Sequence, residues 1–537
     1  MRKLIAAIGA AALLSTAAVA IAPSAYAAAP TCSTASSGVE TCTGTLSNGA
    51  GYLIKVPAKF GGTFFYWNHG IRFTYPLPGV ITVPKGVEEL TPSNVPEESM
   101  LRAGYGLATY DGVSTGGLRG WNTADRVEML KELIDTVKAK YTVRKGVIYG
   151  SSQAGSILTP FIEKYPTYAD SVGIMAGVTP SIGQEVQSLC DAFYILSVFA
   201  DPTIKGCAAM GTKGLAGHYA AAAEFGKVVA LLTAWGANLG APGLEYPAAL
   251  KGSGIPQRSA LLLTGLLIGL PTKSAHMDGI TTSAVIAEQS INATVAILEN
   301  FGEAIATGTF GGQAISEITG PGFYDNTKTN WFSLLDPADS GRFNLGLSGD
   351  GAISAMLGVL SLAPRVTGDP AAVAKLKALD KSKFDTTKPV VLLSNEADRL
   401  VFPGNGALYV DKARAIYDVK LAKYETARDA ATNSAERAAA EKLKPFFNVA
   451  SLYAMTPETY TVYTAQGLPN LAGAPSPSGV GHQNFTLKQM MAWVKILAHA
   501  ADTGKVGSPG YLQQYIKKAP YLNSDLDYRP ADLKYIW

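Results

Sequence analysis

The sequence predicts an α/β protein: a mostly parallel sheet covered by helices on both faces, with a large, mainly helical insertion. Three observations carry this. Short apolar runs alternate with amphipathic stretches in the first third of the chain, that cadence stops between residues 179 and 387, and strand rhythm resumes at Pro389. Strand, helix, strand at this spacing marks parallel strands joined by crossover helices.

Composition narrows the class. The chain has 537 residues, 47% hydrophobic and 16% charged, which suits a packed core and not a disordered polymer. Its 45 Lys and Arg nearly balance 42 Asp and Glu. No surplus charge exists to gather phosphates, so nucleic-acid binding through bulk charge is excluded.

At the N-terminus, Arg2 and Lys3 precede an apolar stretch, Leu4–Ala22, and a small-x-small site, Ala25-Tyr26-Ala27. This is the pattern of an export signal. Ala and Gly dilute the stretch and Pro23 breaks it, which argues against a membrane anchor. Residues 1–27 are therefore expected to be removed, leaving a secreted protein that begins at Ala28. The longest later apolar run, Ala260–Leu270, is too short to span a bilayer and is bounded by Arg258 and Pro271. No stable membrane insertion is expected. Four cysteines in an exported chain point to disulfides, and proximity favours Cys32–Cys42 and Cys190–Cys207. Neither pair has metal-ligand spacing, and the five histidines are scattered without an H-E-x-x-H helix; no metal site is expected.

The elements follow in order. Phe64–Trp67 reads as a strand ending in Asn68-His69-Gly70, and Tyr105–Tyr110 as another, closing on Asp111 and a Gly/Ser/Thr-rich loop. Thr123–Lys140 has helical spacing of Val127, Leu130, Leu133, Ile134 and Val137. Val147–Tyr149 is a brief strand running into Gly150-Ser151-Ser152-Gln153-Ala154-Gly155; Ser156–Tyr165 is helical, and Ser171–Met175 is the next strand. Helical patterns such as Gly217–Trp235 and Thr281–Ile305 fill the insertion. Strands are expected again at Pro389–Leu393 and Thr459–Thr464, separated by a charged helix or helix pair over Leu408–Lys444. An amphipathic helix, Leu487–Ala501, follows. The sheet domain is thus expected over 28–180 and 388–537, with the insertion at 181–387.

Three segments concentrate the chemistry. In the first, Ser152 stands between a strand and a helix with Gly150 two before and Ala154 two after, the pattern of a nucleophile elbow with Ala in place of the second glycine. A phosphate loop is excluded because the required Lys-Ser/Thr is absent; Ser156-Ile157 stands there instead. In the second, the strand Pro389–Leu393 leads into a loop with Asp398, the better candidate for orienting an imidazole, and Glu396 in reserve. The third is Ser478-Gly479-Val480-Gly481-His482, a histidine in a glycine loop before the last helix. The other histidines are less suited, with His218 and His499 within helical patterns and His276 in the insertion.

The chain order Ser152, Asp398, His482, each placed just past a strand, resembles the α/β-hydrolase superfamily over roughly Tyr52–Ser181 and Pro389–Ala501. His69-Gly70-Ile71 matches the His-Gly-x of that family's first nucleophile-facing loop. The resemblance implies an oxyanion hole from the backbone N–H groups of Ile71 and Gln153, and a cap formed by the insertion. It implies acyl transfer through Ser152, with His482 as base and Asp398 as orienter, and no cofactor or metal. A carboxylic ester, small or polymeric, is the expected substrate. A secreted exopeptidase of the same fold is the rival; it needs an acid to hold the substrate amine, for which the cap offers Glu185, Asp191, Asp278 and Glu288. A noncatalytic binding protein retaining the fold is the third reading.

Overall fold

The structure, a computed structural model, describes residues 30–537 except 74, 77–82, 84–86, 88, 113, 116–117, 120–122, 238–249, 280–285, 386, 466–468 and 473–475. The expected export signal lies outside the described residues. In chain order the strands are β1 (Thr31–Thr34), β2 (Glu40–Thr45), β3 (Gly51–Val56), β4 (Thr63–Asn68), β5 (Arg72–Phe73), β6 (Gly106–Tyr110), β7 (Ser114–Thr115), β8 (Leu118–Arg119), β9 (Lys145–Ser152), β10 (Ser171–Gly177), β11 (Val390–Asn395), β12 (Val449–Ala454) and β13 (Leu522–Asn523). Ten of them form one sheet in the order β1-β2-β3-β6-β4-β9-β10-β11-β12-β13, and β5-β8-β7 form a small second sheet. From β6 to β12 every pairing is parallel, and the flanking pairs are antiparallel.

Three helices, α1 (Asn94–Arg102), α2 (Thr123–Lys140) and α3 (Gly155–Lys164), belong to the first half of the sheet. Between β10 and β11 lie α4 (Ile182–Phe199), α5 (Gly214–Ala237), α6 (Gln257–Ile268), α7 (Ile286–Thr319), α8 (Trp331–Leu334), α9 (Pro337–Arg342), α10 (Asp350–Leu362) and α11 (Pro370–Ala378). The chain finishes with α12 (Gly404–Ala430), α13 (Ser434–Glu441), α14 (Leu487–Thr503) and α15 (Pro509–Ile516).

Strand alternation sorts the core into two layers. Phe64 and Tyr66 face Ile148 and the α2 and α3 residues Leu130, Leu133, Ile157 and Phe161. Their neighbours Phe65 and Trp67 point the other way, into a layer with Tyr149, Met100 of α1, and Trp493 and Leu497 of α14. The start of α14 is fixed by a capping box, in which Thr486 and Gln489 bond each other's backbone N–H. The helices between β10 and β11 have a core of their own, including Phe193, Leu261, Ile297 and Trp331, which Val401 and Phe402 join from the loop after β11.

The cysteines pair as Cys32–Cys42 and Cys190–Cys207. The first links cross-strand partners of β1 and β2. The second ties α4 to the short 3₁₀ turn Gly206–Ala209. No helix among the described residues is long and apolar enough to cross a membrane.

One expected strand is corrected. Thr459–Thr464 is not in the sheet; the strand pairing with β11 is β12, ten residues earlier in sequence at its start. The Thr- and Tyr-rich run has strand propensity, but propensity yields to packing. Here its backbone N–H groups at Tyr460 and Thr461 donate to Asp278, and the Tyr460 hydroxyl donates to the carbonyls of Ser274 and Met277. The run therefore docks the insertion onto the sheet domain.

Buried carboxyls gather at α4. Asp380 accepts from the first N–H groups of this helix, at Gly183 (2.7 Å) and Gln184 (3.1 Å). Asp191 accepts from the hydroxyls of Tyr324 and Tyr535, pinning the C-terminal tail to the insertion. Glu185 accepts from Phe402 N (2.9 Å) and from the Asn405 amide. Burial pushes all three up, Glu185 to about 8, Asp191 to about 7 and Asp380 to about 6. A raised carboxyl binds its proton more tightly folded than unfolded. Its stabilising contribution is therefore complete below the unfolded value and lost as pH rises through the folded one. Urea unfolding of wild type and Glu185→Gln should show the wild type losing ground as pH rises from about 5 to about 9. A difference between the two proteins that does not change over that window would contradict this.

Candidate active site

The site is built at the carboxyl ends of β4 and β9. The chain enters the parallel part of the sheet at β4, steps outward to β6, then crosses back to β9 on the other side of β4. Such a reversal opens a crevice between the two strand ends, where ligands of wound sheets bind.

β9 runs through Ser152, and α3 begins three residues later at Gly155. Ser152 has φ 57°, in the left-handed region that a serine rarely occupies. The turn is tight enough to dictate its neighbours. A Cβ at Gly150 would lie 2.4 Å from the Asn68 carbonyl oxygen and 2.7 Å from the Ala154 Cβ. The Ala154 methyl thus occupies space that the missing side chain of Gly150 leaves open.

Across the crevice, Gly70 packs directly on the serine, and a Cβ there would be 2.8 Å from Ser152 Cβ. His69 sets the orientation of the next peptide. Its Nδ1–H donates to the Gly70 carbonyl at 2.6 Å, while its Nε2 accepts from Gly112 N at 3.1 Å. Because a trans peptide directs its C=O and N–H oppositely, holding the Gly70 oxygen turns the Ile71 N–H the other way. Among the described residues no acceptor is recorded for the N–H of Ile71 or of Gln153. Beneath this loop lies Arg126 of α2, buried, with Nη1 donating to the His69 carbonyl (3.1 Å) and to Gln153 Oε1 (3.3 Å). Sequence reasoning missed Arg126. The signal was there: it falls four residues before Leu130 on the apolar stripe of α2, where an arginine needs a buried task.

Asp398 and His482 come together from two loops. The loops are zipped by reciprocal bonds, Ala397 N to the Gly479 carbonyl and Gly481 N to the Ala397 carbonyl, each 2.9 Å. Asn484 folds the second loop on itself through its amide bonds to the Pro477 and Val480 carbonyls. His482 Nδ1 lies 2.9 Å from Asp398 Oδ2, while Oδ1 accepts from Leu400 N (2.9 Å) and Val401 N (3.0 Å). With Nδ1–H donating to the carboxylate, Nε2 carries the lone pair. The reserve acid is engaged elsewhere, since Glu396 binds Thr456 and, at 2.7 Å, Lys273.

Ser152 and His482 line one cavity of about 450 Å³, together with Ile71 and Gln153. No hydrogen bond joins Ser152 Oγ to His482 among the recorded contacts. Instead the Gln483 amide donates to His482 Nε2 at 2.9 Å. Gln483, with φ 59°, was not singled out from the sequence, where nothing separates it from an ordinary loop polar residue. The cavity roof comes from one face of α4 (Ile182, Glu185, Val186, Leu189) and from Glu303, Ala306 and Thr307 of α7. Of the four acids considered for an amine site, only Glu185 lines this cavity. Asp191 is bonded to two tyrosines, Asp278 to the 460–461 backbone, and the side chain of Glu288 lies outside the described residues.

No protein-family model and no curated protein sequence matches the chain. Solved structures do. A feruloyl esterase B from Aspergillus oryzae is 12% identical, covering 89% of this chain and 88% of its own, with a TM-score of 0.32. Another esterase from Aspergillus oryzae is 12% identical over 77% of this chain and 71% of its own, at 0.29. A thermostable carboxyl esterase from Bacillus coagulans is 14% identical over 31% of this chain, at 0.19; the chain spans 50% of that enzyme, and 54% of a hydrolase from Agrobacterium vitis S4. These superpositions are loose, and the fold assignment rests on topology. A mixed sheet with a parallel centre, a serine on a left-handed strand-to-helix turn, and an acid and a histidine on loops beyond later strands make this the α/β-hydrolase fold.

Proposed function

We propose that the protein is a serine hydrolase that cleaves carboxylic esters through an acyl-enzyme, with Ser152 as nucleophile, His482 as base and Asp398 as its orienter. The observation that carries this reading is the left-handed Ser152 opening into the same cavity as a His482 already bonded to Asp398. On substrate arrival the Gln483 amide gives up His482 Nε2 to the Ser152 hydroxyl. His482 takes the proton as Oγ attacks the ester carbonyl, and Asp398 stabilises the imidazolium. The N–H groups of Ile71 and Gln153 hold the oxyanion, a term on the order of 3–4 kcal/mol per donor. His482 then protonates the leaving alcohol, water attacks the acyl group, and Ser152 recovers its proton. The chemistry as proposed draws on no cofactor or metal.

An ester is favoured over an aminoacyl substrate because neither acid that the cap gives the cavity is free to hold an amine: Glu303 is paired with Arg399, and Glu185 is held up to about 8 by burial. It is largely protonated at neutral pH and so is a weak anchor for an ammonium group. The noncatalytic reading has no observation in its favour. We also propose that the protein is exported after loss of residues 1–27, with which its two disulfides are compatible.

Purified wild type should hydrolyse p-nitrophenyl acyl esters. Ser152→Ala and His482→Ala should each lower kcat/KM by on the order of a thousandfold or more, and Asp398→Asn by a comparable amount. Retention of wild-type rates by Ser152→Ala would refute the assignment. Gln483→Ala frees the base from one hydrogen bond, whose net worth of about 0.5–1.5 kcal/mol corresponds to a rise in kcat/KM of about two- to tenfold. A tenfold fall would instead mean that Gln483 acts in the transition state. Gly70→Ala should reduce activity at least about tenfold and also lower stability, because its methyl would meet Ser152 Cβ at 2.8 Å; paired kinetics and urea melts that show neither change would contradict this packing.

A further inference from the structure

Glu185 has a place in the cavity that the catalytic scheme does not use. Ile182, Glu185, Val186 and Leu189 form one face of α4, and Glu185 is the polar member of that wall. The residue is 4% exposed. Its Oε1 is occupied by two donors from the loop after Asp398, Phe402 N and the Asn405 amide. No hydrogen bond to Oε2 is recorded among the described residues. A carboxyl with one oxygen anchored to protein donors and the other without a protein partner at a cavity wall offers a hydrogen bond to whatever fills the cavity, water or ligand.

We infer that Oε2 of Glu185 is a hydrogen-bonding subsite of the ester cavity, selecting substrates whose acyl or alcohol group carries a hydroxyl or ether oxygen over hydrocarbons of equal size. This rests on the ester-hydrolase reading for the identity of the ligand, and on the geometry for the subsite itself. Because Oε1 is saturated with donors, the proton of the neutral carboxyl belongs on Oε2, where it points to an acceptor oxygen. Burial keeps the group in that neutral form near pH 7. A plain alkyl group seated there leaves the carboxyl unbonded, so the hydrocarbon is the disfavoured ligand. The apolar neighbours on α4 accommodate the rest of the chain.

The test uses Ser152→Ala, which retains the cavity without turnover. Calorimetry measures its binding of methyl alkanoates against methyl ω-hydroxyalkanoates, and of alkyl acetates against diol monoacetates, across chain lengths. At one or more lengths the hydroxylated member should bind about two- to tenfold tighter. Adding Glu185→Met should bring that ratio to about one. Adding Glu185→Gln should preserve it, because the amide keeps its oxygen on the loop donors and offers an N–H at the cavity. Equal binding of the two series at every length overturns the subsite without any Glu185 variant, and so does a preference that survives Glu185→Met. If wild type hydrolyses neither series yet the preference follows Glu185, the subsite stands and the hydrolase reading fails.

Discussion

Ser152 is held in a backbone conformation that L-residues avoid, and the rest of the site is arranged around that one constraint. The strained residue persists because three close approaches leave it no alternative: Gly150 against the Asn68 carbonyl, Ala154 against Gly150, and Gly70 against Ser152 itself. Neither glycine has room for a Cβ. The three approaches join the ends of β4 and β9, so the turn at Ser152 and the loop bearing the Ile71 N–H pack as one unit. His69 and Arg126 extend that unit inward, converting two buried polar side chains into supports for the peptide at Gly70.

The acid and the imidazole are positioned by a different device. Neither Asp398 nor His482 belongs to a strand. Backbone bonds between Ala397 and the Gly479 and Gly481 peptides bring their loops into register, and Asn484 stiffens the second loop. The helical insertion then roofs the cavity with α4 and α7, and is tied to the acid loop through Glu185, Phe402 and Asn405. The same bonds join α4 to the segment that follows Asp398.

Much of this was legible in the sequence where periodicity or a motif was strong. The helix Thr123–Lys140 and the turn at Ser152 needed no tertiary information, since an apolar stripe and a tight small-residue turn each have a local cause. The pairing of the cysteines followed from proximity alone. Where local cause and tertiary use diverge, the reading failed. Strand propensity at Thr459–Thr464 is spent on docking the insertion, while the true strand, Val449–Ala454, is the more apolar segment and is buried along its whole length. β1 and β2 are short and rich in Thr, Ser and Gly, and they join the sheet as an antiparallel extension whose existence depends on β3. Arg126 and Glu185 take their partners from distant stretches of the chain, which no window of sequence pairs with them.

The proposed chemistry depends first on the hydroxyl at the strained turn being a nucleophile. Reaction of the intact protein with a fluorophosphonate, followed by proteolysis and mass spectrometry, tests this directly. A single adduct on the peptide containing Ser152, absent from His482→Ala, is the expected result. An unmodified Ser152 in folded protein, or an adduct confined to another serine, would contradict it.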